Sequence, residues 1–596
     1  MFANVTTTAR NLVDVLHATV EQDPHRALLA RRTASGFEDV SAAAFAAEVT
    51  ALAKGFIAWG VQVGDRVGIM SKTRYEWTLV DFALWCAGAV SVPLYETSSP
   101  AQVAWILADA DAVGCVVETS AHGVRVEGVR NQLPQLSQTW QIEDGQLDAL
   151  AAGGTGVDDG VLEQRRAEMH LDTLATLIYT SGTTGRPKGC MLTHGNFVAE
   201  CSSAIAALPE LFETKDASTL LFLPLAHVFG RMIQVAVIMR GVKLAHSDPA
   251  RLLKDLAATR PTFVLSVPQV FDKIFQTARR KAVADRKGRV FDLAADTASA
   301  YSRALDDGGP GLLLRARHAV FDKLVYTRLR AAFGGRAQWA VSGGAPLGAR
   351  LAHFFRGIGV TVLEGYGLTE TTAAAAVNNR AGTRIGTVGR ALPGFELRIA
   401  DDGEICIRGP HVFTGYWRDE SATREVLDTQ GWFRSGDLGA LDADGFLTIT
   451  GRLKEIIVTS GGKNVAPAAL EDQIRSHPVV AQVMVVGDQR SYVAALVTLE
   501  QEALDAWLTE HGRANQPVGE LTEDPQLRAA VQSAIDAANA TVSAPEQVRR
   551  FRVLPAVWSE DSGHLTPTLK LKRSKVLADF ADEIEALYAP KSPAPS

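Results

Sequence analysis

The stretch Tyr179-Thr-Ser-Gly-Thr-Thr-Gly-Arg-Pro-Lys-Gly189 follows the apolar, strand-like segment Leu174 to Ile178 and is the most informative part of this chain. Glycines let a backbone turn tightly and approach a ligand closely. Hydroxyl and exposed N–H groups donate to phosphate oxygens, and a lysine adds a point charge. The stretch therefore predicts a polyphosphate-binding loop rather than a surface linker, although the GxxxxGK[ST] spacing of the common P-loop does not fit it. The expected phosphate-binding residues are Thr180, Ser181, Gly182, Thr183, Thr184, Gly185 and Lys188.

The bulk composition is that of a multidomain soluble protein. A chain of 596 residues is too long for one core, so two or more domains are expected. Its net charge of −7 argues against a general nucleic-acid binder, and no nucleic-acid partner is predicted. The five cysteines show no CxxC spacing, so we expect neither a disulfide framework nor a zinc site, as in a reducing cytoplasm.

Targeting and membrane signals are weak in this sequence. The N-terminus lacks the cationic start and apolar core of a secretory signal. The apolar stretches Phe82 to Tyr95 and Leu220 to Gly230 fall short of the roughly 18 residues that a spanning helix needs. We therefore expect a cytoplasmic protein with no membrane span. Peripheral contact with the inner face of the membrane stays open, and no oligomeric state is indicated.

The N-terminal part alternates between strand and helix patterns. Asp65 to Met70 and Ala89 to Leu94 are expected as strands, and Tyr75 to Ala87 between them has helical spacing. This order predicts an α/β fold in layers. The Gly/Ala/Asp-rich stretch Gln146 to Gly160 is interpreted as an exposed linker or insertion. A long, charged helical region is expected from Gln276 to Arg336, broken at residues 306–311.

The C-terminal part predicts a smaller α+β domain. Ala468 to Ser476 has a helical pattern, whereas Val480 to Val486 and Tyr492 to Leu499 are expected as strands. The predicted boundary lies near Gly451 to Lys454 and divides the chain into residues 1–453 and 454–596.

The phosphate loop resembles that of the adenylate-forming superfamily, which includes acyl-CoA synthetases, peptide-synthetase adenylation domains and luciferases. Seven further segments match this family in the required order. Phe222-Leu-Pro-Leu-Ala-His-Val-Phe-Gly230 resembles the segment whose histidine, here His227, lies beside the acyl pocket. Ser342-Gly-Gly-Ala-Pro346 resembles the turn along the adenine, which implies roles for Gly344 and Ala345.

Glu364-Gly-Tyr-Gly-Leu-Thr-Glu-Thr371 is the second strong match to the family. By resemblance, Tyr366 stacks on adenine, Thr369 bonds the α-phosphate and Glu370 holds Mg²⁺, with Thr180 as a further metal ligand. A carboxylate suits Mg²⁺, which usually takes one or two carboxylates plus substrate phosphates. The remaining nucleotide-binding residues implied here are Glu364, Gly365 and Gly367.

Three later segments resemble the ribose site, the hinge and the thiol channel of the family. Gly431-Trp-Phe-Arg-Ser-Gly-Asp437 implies a ribose-binding aspartate, Asp437, although Phe-Arg-Ser departs from the usual pattern. Gly451-Arg-Leu-Lys-Glu-Ile-Ile457 implies that Arg452 bonds the ribose and that Lys454 is the pivot about which a mobile C-terminal domain turns. Ser460-Gly-Gly-Lys-Asn-Val-Ala-Pro467 resembles the loop along the coenzyme A channel, with Gly461, Gly462 and Lys463 lining it.

The last match, Leu565-Thr-Pro-Thr-Leu-Lys-Leu-Lys-Arg573, occupies the place of the C-terminal catalytic lysine. The usual Gly-Lys pair is absent. Lys570 is the better match and Lys572 the second candidate, while a basic surface strand is the alternative without catalytic meaning.

The resemblance implies a two-step ligase that uses Mg²⁺, ATP and coenzyme A to form a thioester through an acyl-AMP intermediate. The helical stretch 276–336 and the segment 565–573 are similar to the long-chain fatty acid–CoA ligase branch. The alternatives are a fatty acyl-AMP ligase and a CoA ligase for an aryl or short-chain acid. A non-enzymatic nucleotide-binding regulator is disfavoured, because Lys188, Glu370, Asp437 and Arg452 are all present.

Overall fold

The computed structural model of the protein describes residues 9–180, 186–510, 513, 516, 518–566 and 569–589. Its large N-terminal domain is built on three sheets. The first sheet consists of β3 (Arg66–Met70), β4 (Val90–Leu94), β5 (Ala112–Val117), β6 (Gln138–Gln141), β7 (Leu174–Thr180) and β8 (Lys188–Thr193). Its order is β6-β5-β3-β4-β7-β8, with only the β7–β8 pair antiparallel. The strands β4, β5 and β7 are nearly continuous apolar runs, because strands inside such a sheet are covered on both faces.

The second sheet has nine strands. They are β1 (Ala27–Thr33), β2 (Gly36–Ser41), β9 (Ser218–Leu221), β10 (Lys243–His246), β11 (Phe263–Ser266), β12 (Trp339–Ser342), β13 (Thr361–Tyr366), β14 (Ala376–Val377) and β15 (Arg390–Ala391). The order is β15-β14-β13-β12-β11-β9-β10-β1-β2, parallel from β13 to β1. Parallel strands end at the same edge of a sheet, so the segments after β12 and β13 come to lie side by side.

A third, antiparallel sheet follows in the chain. It is formed by β16 (Glu396–Ile399), β17 (Glu404–Arg408), β18 (Phe433–Leu441) and β19 (Leu447–Arg452). Asp437 on β18 is directly opposite Arg452 on β19. This register brings together two residues that the sequence analysis assigned to the same ribose.

Helices cover the sheets of the N-terminal domain. They are α1 (Leu12–Gln22), α2 (Ala42–Trp59), α3 (Tyr75–Cys86), α4 (Pro100–Asp109), α5 (Ser120–Glu127), α6 (Gln146–Gly153), α7 (Asp159–Glu168), α8 (His194–Ala207), α9 (Pro209–Phe212), α10 (Val228–Arg240), α11 (Leu252–Thr259), α12 (Pro268–Ala284), α13 (Gly288–Asp306), α14 (Leu312–Phe321), α15 (Thr327–Ala332), α16 (Ala349–Gly357) and α17 (Glu420–Val426). The long helical region expected between residues 276 and 336 is present, with its break before α14.

One interpretation of the sequence was wrong. The stretch Gln146 to Gly160 is not a linker, because it contains α6 and the start of α7. Leu147 is buried, and Gly154 lies so close to Gly55 on α2 that an added Cβ would be 2.3 Å from the Gly55 nitrogen. Close helix packing therefore explains small residues that resemble linker composition.

The helix α2 is the one described helix that is long and apolar enough to span a membrane, a feature that the sequence analysis did not single out. Its Phe45 and Phe56 side chains are fully buried in the main core. The ring of Phe45 makes edge contacts with Tyr75 and Phe82. A core helix of a folded domain has this environment.

The small C-terminal domain has its own core. Its strands are β20 (Ile457–Val458), β21 (Asn464–Val465), β22 (Val480–Val486), β23 (Val493–Leu499) and β24 (Val548–Leu554), and its helices are α18 (Pro467–Arg475), α19 (Gln501–Glu510), α20 (Val518–Leu521), α21 (Pro525–Asn539), α22 (Arg573–Asp579) and α23 (Ala581–Tyr588). Two clusters of buried residues, drawn from positions 457–553 and 484–587, belong to this domain alone. The predicted fold class is confirmed, while the boundary at residues 453 and 454 stays a prediction.

Candidate active site

A single cavity of about 1710 Å³ lies between the large domain and the C-terminal domain. Most of the residues that the motifs singled out line it. They are Thr180, Lys188, His227, Gly344, Ala345, Gly365, Tyr366, Gly367, Thr369, Glu370, Asp437, Arg452, Lys454 and Lys570. The predicted phosphate-binding residues 181–185 lie outside the described residues.

The side chain of Asp437 joins two of the motifs. Its Oδ2 accepts a hydrogen bond of 2.7 Å from the Tyr366 hydroxyl, and its Oδ1 lies 2.9 Å from Nε of Arg452. Asp437 is 4 % exposed, so these partners compensate for the loss of water around its charge. Burial, followed by the charge of Asp437, raises the pKa of Tyr366 well above its usual value. The family resemblance implied a place for Tyr366 on the adenine, and no motif predicted this hydrogen bond.

Glu370 occupies a tight turn after β13. Its Oε1 accepts a 2.8 Å hydrogen bond from the hydroxyl of Tyr416, and its backbone carbonyl accepts one from Phe413 N–H. The neighbouring Thr369 is buried. Burial, followed by the charge of Glu370, raises the pKa of the Tyr416 hydroxyl, which therefore stays protonated and serves as a donor. One carboxylate is thus oriented towards the cavity.

Lys188 and Thr180 are paired across β7 and β8, at the two ends of the predicted phosphate loop. The Lys188 Nζ lies 3.6 Å from an oxygen of Asp419 and 5.2 Å from the ring centre of Tyr416. Neither Asp419 nor Tyr416 belongs to the motifs recognised in the sequence. Their only signal in the sequence is the short aromatic and charged run Tyr416-Trp-Arg-Asp419.

The structure separates the two lysine candidates of the C-terminal segment. Lys570 lines the cavity, whereas Lys572 does not. The backbone around Lys570 is held by a turn in which Lys570 N–H donates to Thr566 Oγ1 at 3.0 Å. Desolvation in the cavity, followed by the nearby Arg452 charge, lowers the pKa of Lys570, while Asp437 and Glu370 oppose this shift. Lys570 is therefore close enough to both carboxylates for their charges to act on it.

His227 is a neutral imidazole at the start of α10. Its Nδ1 accepts a 3.2 Å hydrogen bond from Phe229 N–H, so the ring proton is assigned to Nε2. Burial, followed by the charge of Lys570, lowers the pKa of His227 to about 3. The helix behind it is anchored by the fully buried Arg231, which lies 2.6 Å from Asp81.

Part of the cavity lining, here called the apolar arm, consists of apolar side chains. The arm is lined by side chains around α8, α9 and α10 and beside β15, among them Leu208, Leu211, Phe212, Met232, Ile233 and Leu392. All six are buried in the main core. One cavity is therefore lined both by several charged groups and by a set of apolar side chains.

Four of the predicted site residues do not line the cavity. Glu364 instead accepts a 2.9 Å hydrogen bond from Leu347 N–H and so holds the turn that carries Gly344 and Ala345. Burial raises the pKa of Glu364. Gly461, Gly462 and Lys463 lie in the C-terminal domain, where Lys463 Nζ is 3.6 Å from Glu546. Sequence patterns name such residues but do not say which of them face the same space.

Residues 16–417 match the AMP-binding enzyme family, and residues 454–592 match its C-terminal domain. The chain belongs to the AMP-binding enzyme family. The superfamily resemblance inferred from the motifs is thereby confirmed.

Curated relatives and solved structures agree with this family. The chain is 50% identical, over 97% of each sequence, to the long-chain-fatty-acid–CoA ligase FadD15 of Mycobacterium tuberculosis. It is 32% identical to the peroxisomal long chain acyl-CoA synthetase 7 of Arabidopsis thaliana, over 91% of this chain and 81% of the relative. The A domain of the carboxylic acid reductase from Segniliparus rugosus, in complex with AMP and a co-purified carboxylic acid, has a TM-score of 0.75 at 22% identity over 98% of this chain and 95% of that chain. That similarity shows a shared fold.

Proposed function

We propose that this enzyme is a long-chain fatty acid–CoA ligase that forms acyl-CoA from a fatty acid, ATP and coenzyme A through an acyl-AMP intermediate. The observation that carries the proposal is one large cavity, whose lining includes Asp437, Glu370 and Lys570 together with the apolar arm. Its volume exceeds the roughly 300–1,000 Å³ of an ordinary small-molecule site, so it has room for a nucleotide and an acyl chain together. The relatives named for long-chain acids support the same substrate class.

In the first step, the carboxylate oxygen of the acid attacks the α-phosphorus of ATP and the bond to pyrophosphate breaks. Because two anions must approach each other, the site needs fixed positive charge where negative charge develops. Lys188 and Arg452 each lie within 4.0 Å of a carboxylate of the protein. Among the described residues no carboxylate lies that close to Lys570, so its charge is available to the reacting groups. Lys570 is therefore assigned to this step.

The nucleotide would be held by groups already positioned for it. Asp437 has lone pairs to accept hydrogen bonds from ribose hydroxyls in addition to its two protein partners. The turn with Gly344 and Ala345 faces the same space and would contact the adenine beside Tyr366. Thr369 would donate to the α-phosphate.

The residues present fit a Mg²⁺ ion brought in with ATP. No cluster of three or more His, Cys, Asp or Glu side chains suited to a metal occurs in the described part of the chain. Glu370 offers a carboxylate in the cavity, and Thr180 offers a hydroxyl. Mg²⁺ is usually bound through one or two carboxylates, waters and substrate phosphates, so a lone carboxylate is sufficient. When bound, the ion would neutralise charge on the phosphates.

In the second step the thiol of coenzyme A attacks the acyl carbon, the thiol proton is lost and AMP leaves. Lys570 has no role in this step, and the thiol needs a path. Lys454, which is exposed in the short turn Leu453–Glu455 between the domains, is the proposed pivot. Rotation there would withdraw Lys570 and bring Gly461, Gly462 and Lys463 to the channel.

A pyrophosphate-release assay with palmitate, benzoate and acetate, each with and without coenzyme A, tests this function. We expect release with palmitate and conversion to palmitoyl-CoA only when coenzyme A is present. Adenylation of palmitate without any thioester would identify a fatty acyl-AMP ligase. A preference for benzoate or acetate would contradict the assignment of the apolar arm, and no release with any acid would refute the enzymatic proposal.

A further inference from the structure

A helical ridge on the surface of the N-terminal domain exposes large apolar side chains to solvent. It runs from Leu312 to Arg328 along α14, the π-helical turn Asp322–Tyr326 and the start of α15. Leu312 and Leu313 are each 85 % exposed, more than any other large apolar side chain among the described residues. Val320 and Leu324 are 56 % and 57 % exposed.

Three of these exposed side chains lie along one stripe of the helical surface. Leu313, Val320 and Leu324 are separated by seven and four residues, a spacing that places them on the same face of a helix. The opposite face is anchored, because Phe321 and Tyr326 are buried and the Tyr326 hydroxyl donates to the Ala294 carbonyl at 2.7 Å. The ridge is thus a fixed element of the fold with one apolar face in water.

Positive charges lie beside this stripe. Between Gly308 and Arg336 the chain has six Arg or Lys residues and one Asp, a net charge of +5 in a protein whose total is −7. That Asp, Asp322, is already paired with Arg330 at 2.6 Å. Arg317, Lys323 and Arg328 have no carboxylate within 4.0 Å among the described residues. The ridge therefore has three cations that no described carboxylate neutralises, one of which, Arg317, lies 5.9 Å from the ring centre of Phe321.

We propose that the ridge from Leu312 to Arg328 docks the enzyme onto the surface of an anionic phospholipid bilayer. An apolar stripe flanked by Lys and Arg is the pattern of helices that lie in a membrane interface, with the leucines among the acyl chains and the cations among the headgroups. The ridge is about 24 Å long at 1.5 Å per residue. The four exposed aliphatic side chains of the ridge do not supply the roughly 800 Å² per partner, with aromatic anchors, that a stable protein interface uses.

The charge distribution favours one orientation. The remainder of the protein is acidic, so an anionic surface repels most of the molecule and attracts the ridge. This surface is separate from the active-site cavity, since none of its residues lines that cavity. The inference goes beyond the ligase activity and does not depend on it.

Flotation of the full-length protein with vesicles tests the proposal. The vesicles are pure phosphatidylcholine or phosphatidylcholine with added phosphatidylglycerol. The test variant is Lys323→Glu/Leu324→Gln. The matched control is Lys254→Glu/Leu253→Gln on α11, where Leu253 is 52 % exposed and Lys254 is also exposed. Both double variants remove one exposed leucine and reverse one exposed lysine.

We expect the wild type to bind the anionic vesicles, and less strongly as salt is added. The test variant should lose on the order of 10-fold or more in its partition constant, because each cation near an anionic surface contributes substantially. The control variant should bind as the wild type does. Unchanged thermal unfolding of both variants would show that the difference arises at the membrane.

Several results would overturn the proposal. They are absence of wild-type binding to both vesicles, equal binding to neutral and anionic vesicles, and equal losses in the test and control variants. A dimer in sedimentation that the test variant alone dissociates would instead assign the ridge to a second copy of the chain.

Discussion

Replacement of Lys570 by methionine is the sharpest test of the proposed chemistry. Methionine keeps most of the side-chain length and removes the charge. The energy of the lost interaction can be worked out from the site, where Lys570 lines the cavity with Asp437 and Glu370 and has no carboxylate within 4.0 Å among the described residues. A unit charge about 4 Å from a developing anion contributes about 4 kcal/mol at an effective dielectric constant near 20. That figure is an upper value because the cavity admits water.

The rate effect follows from this energy. Removal of one preorganised charge or donor commonly costs about 10²–10³ in rate. We therefore expect Lys570→Met to lower the rate of acyl-AMP formation by that factor, with a smaller effect on the binding of ATP. Formation of the thioester from supplied acyl-AMP should change little, because Lys570 acts only before the rotation. Pyrophosphate release reports the first step, and acyl-CoA formed from isolated acyl-AMP reports the second.

Lys572→Met provides the matched control. Lys572 is two residues away and has the same chemistry, but it does not line the cavity. It should leave both half-reactions within a few-fold of the wild type. If Lys570→Met also retained acyl-AMP formation within a few-fold, or if Lys572→Met were the variant that failed, the assignment of the charge to Lys570 would be refuted.

The pH dependence gives a second measure of the same group. The pKa of Lys570 is lowered by the cavity, so the wild type should lose adenylation activity at a lower alkaline pH than a free lysine would predict. Arginine keeps its proton throughout this range. In Lys570→Arg any remaining activity should therefore extend to higher pH. If both proteins lost adenylation activity over the same alkaline pH range, a group other than Lys570 would be responsible for the loss.

Three further predictions concern the hinge, the nucleotide site and α18. Lys454→Pro should impair thioester formation more than acyl-AMP formation, because proline restricts the backbone change at the pivot, and equal losses would contradict this. Tyr366→Phe keeps the ring but removes the 2.7 Å hydrogen bond to Asp437. Loss of a hydrogen bond worth about 1.5–3 kcal/mol should raise the KM for ATP about 10- to 100-fold, and an unchanged KM would contradict this. Burial raises the pKa of Asp472 to about 6 from 3.8, despite its partner Arg475. The raised pKa of Asp472 stabilises the folded state fully below pH about 4, and this stabilisation is lost as the pH rises through 6. Relative to the wild type, the free energy of unfolding of Asp472→Asn should therefore increase by up to about 3 kcal/mol between pH 4 and 7. Thermal unfolding at both pH values measures this gain, and a constant difference would contradict it.

Local patterns predicted much of the fold, because they depend on neighbouring residues. The strands around Asp65 to Met70 and Val480 to Val486 were recognisable from apolar runs bounded by turns. The interpretation of Gln146 to Gly160 as a linker was wrong because it also depended on local composition alone, and the small residues of this stretch have the composition of a linker. They are small because α6 packs closely on α2, a contact between parts of the chain about a hundred residues apart.

The amino-acid sequence alone determined which motifs are present, their order and the chemistry that their side chains can perform. Only the tertiary structure decided which of these side chains face one another. Tyr366 and Asp437 are 71 positions apart, and Glu370 and Tyr416 are 46 apart, yet each pair shares a hydrogen bond. Likewise, Lys570 rather than Lys572 faces the cavity because of how a C-terminal turn meets the large domain. The type of each side chain is given directly by the sequence, whereas the distances between these side chains arise from the packing of elements that are remote along the chain.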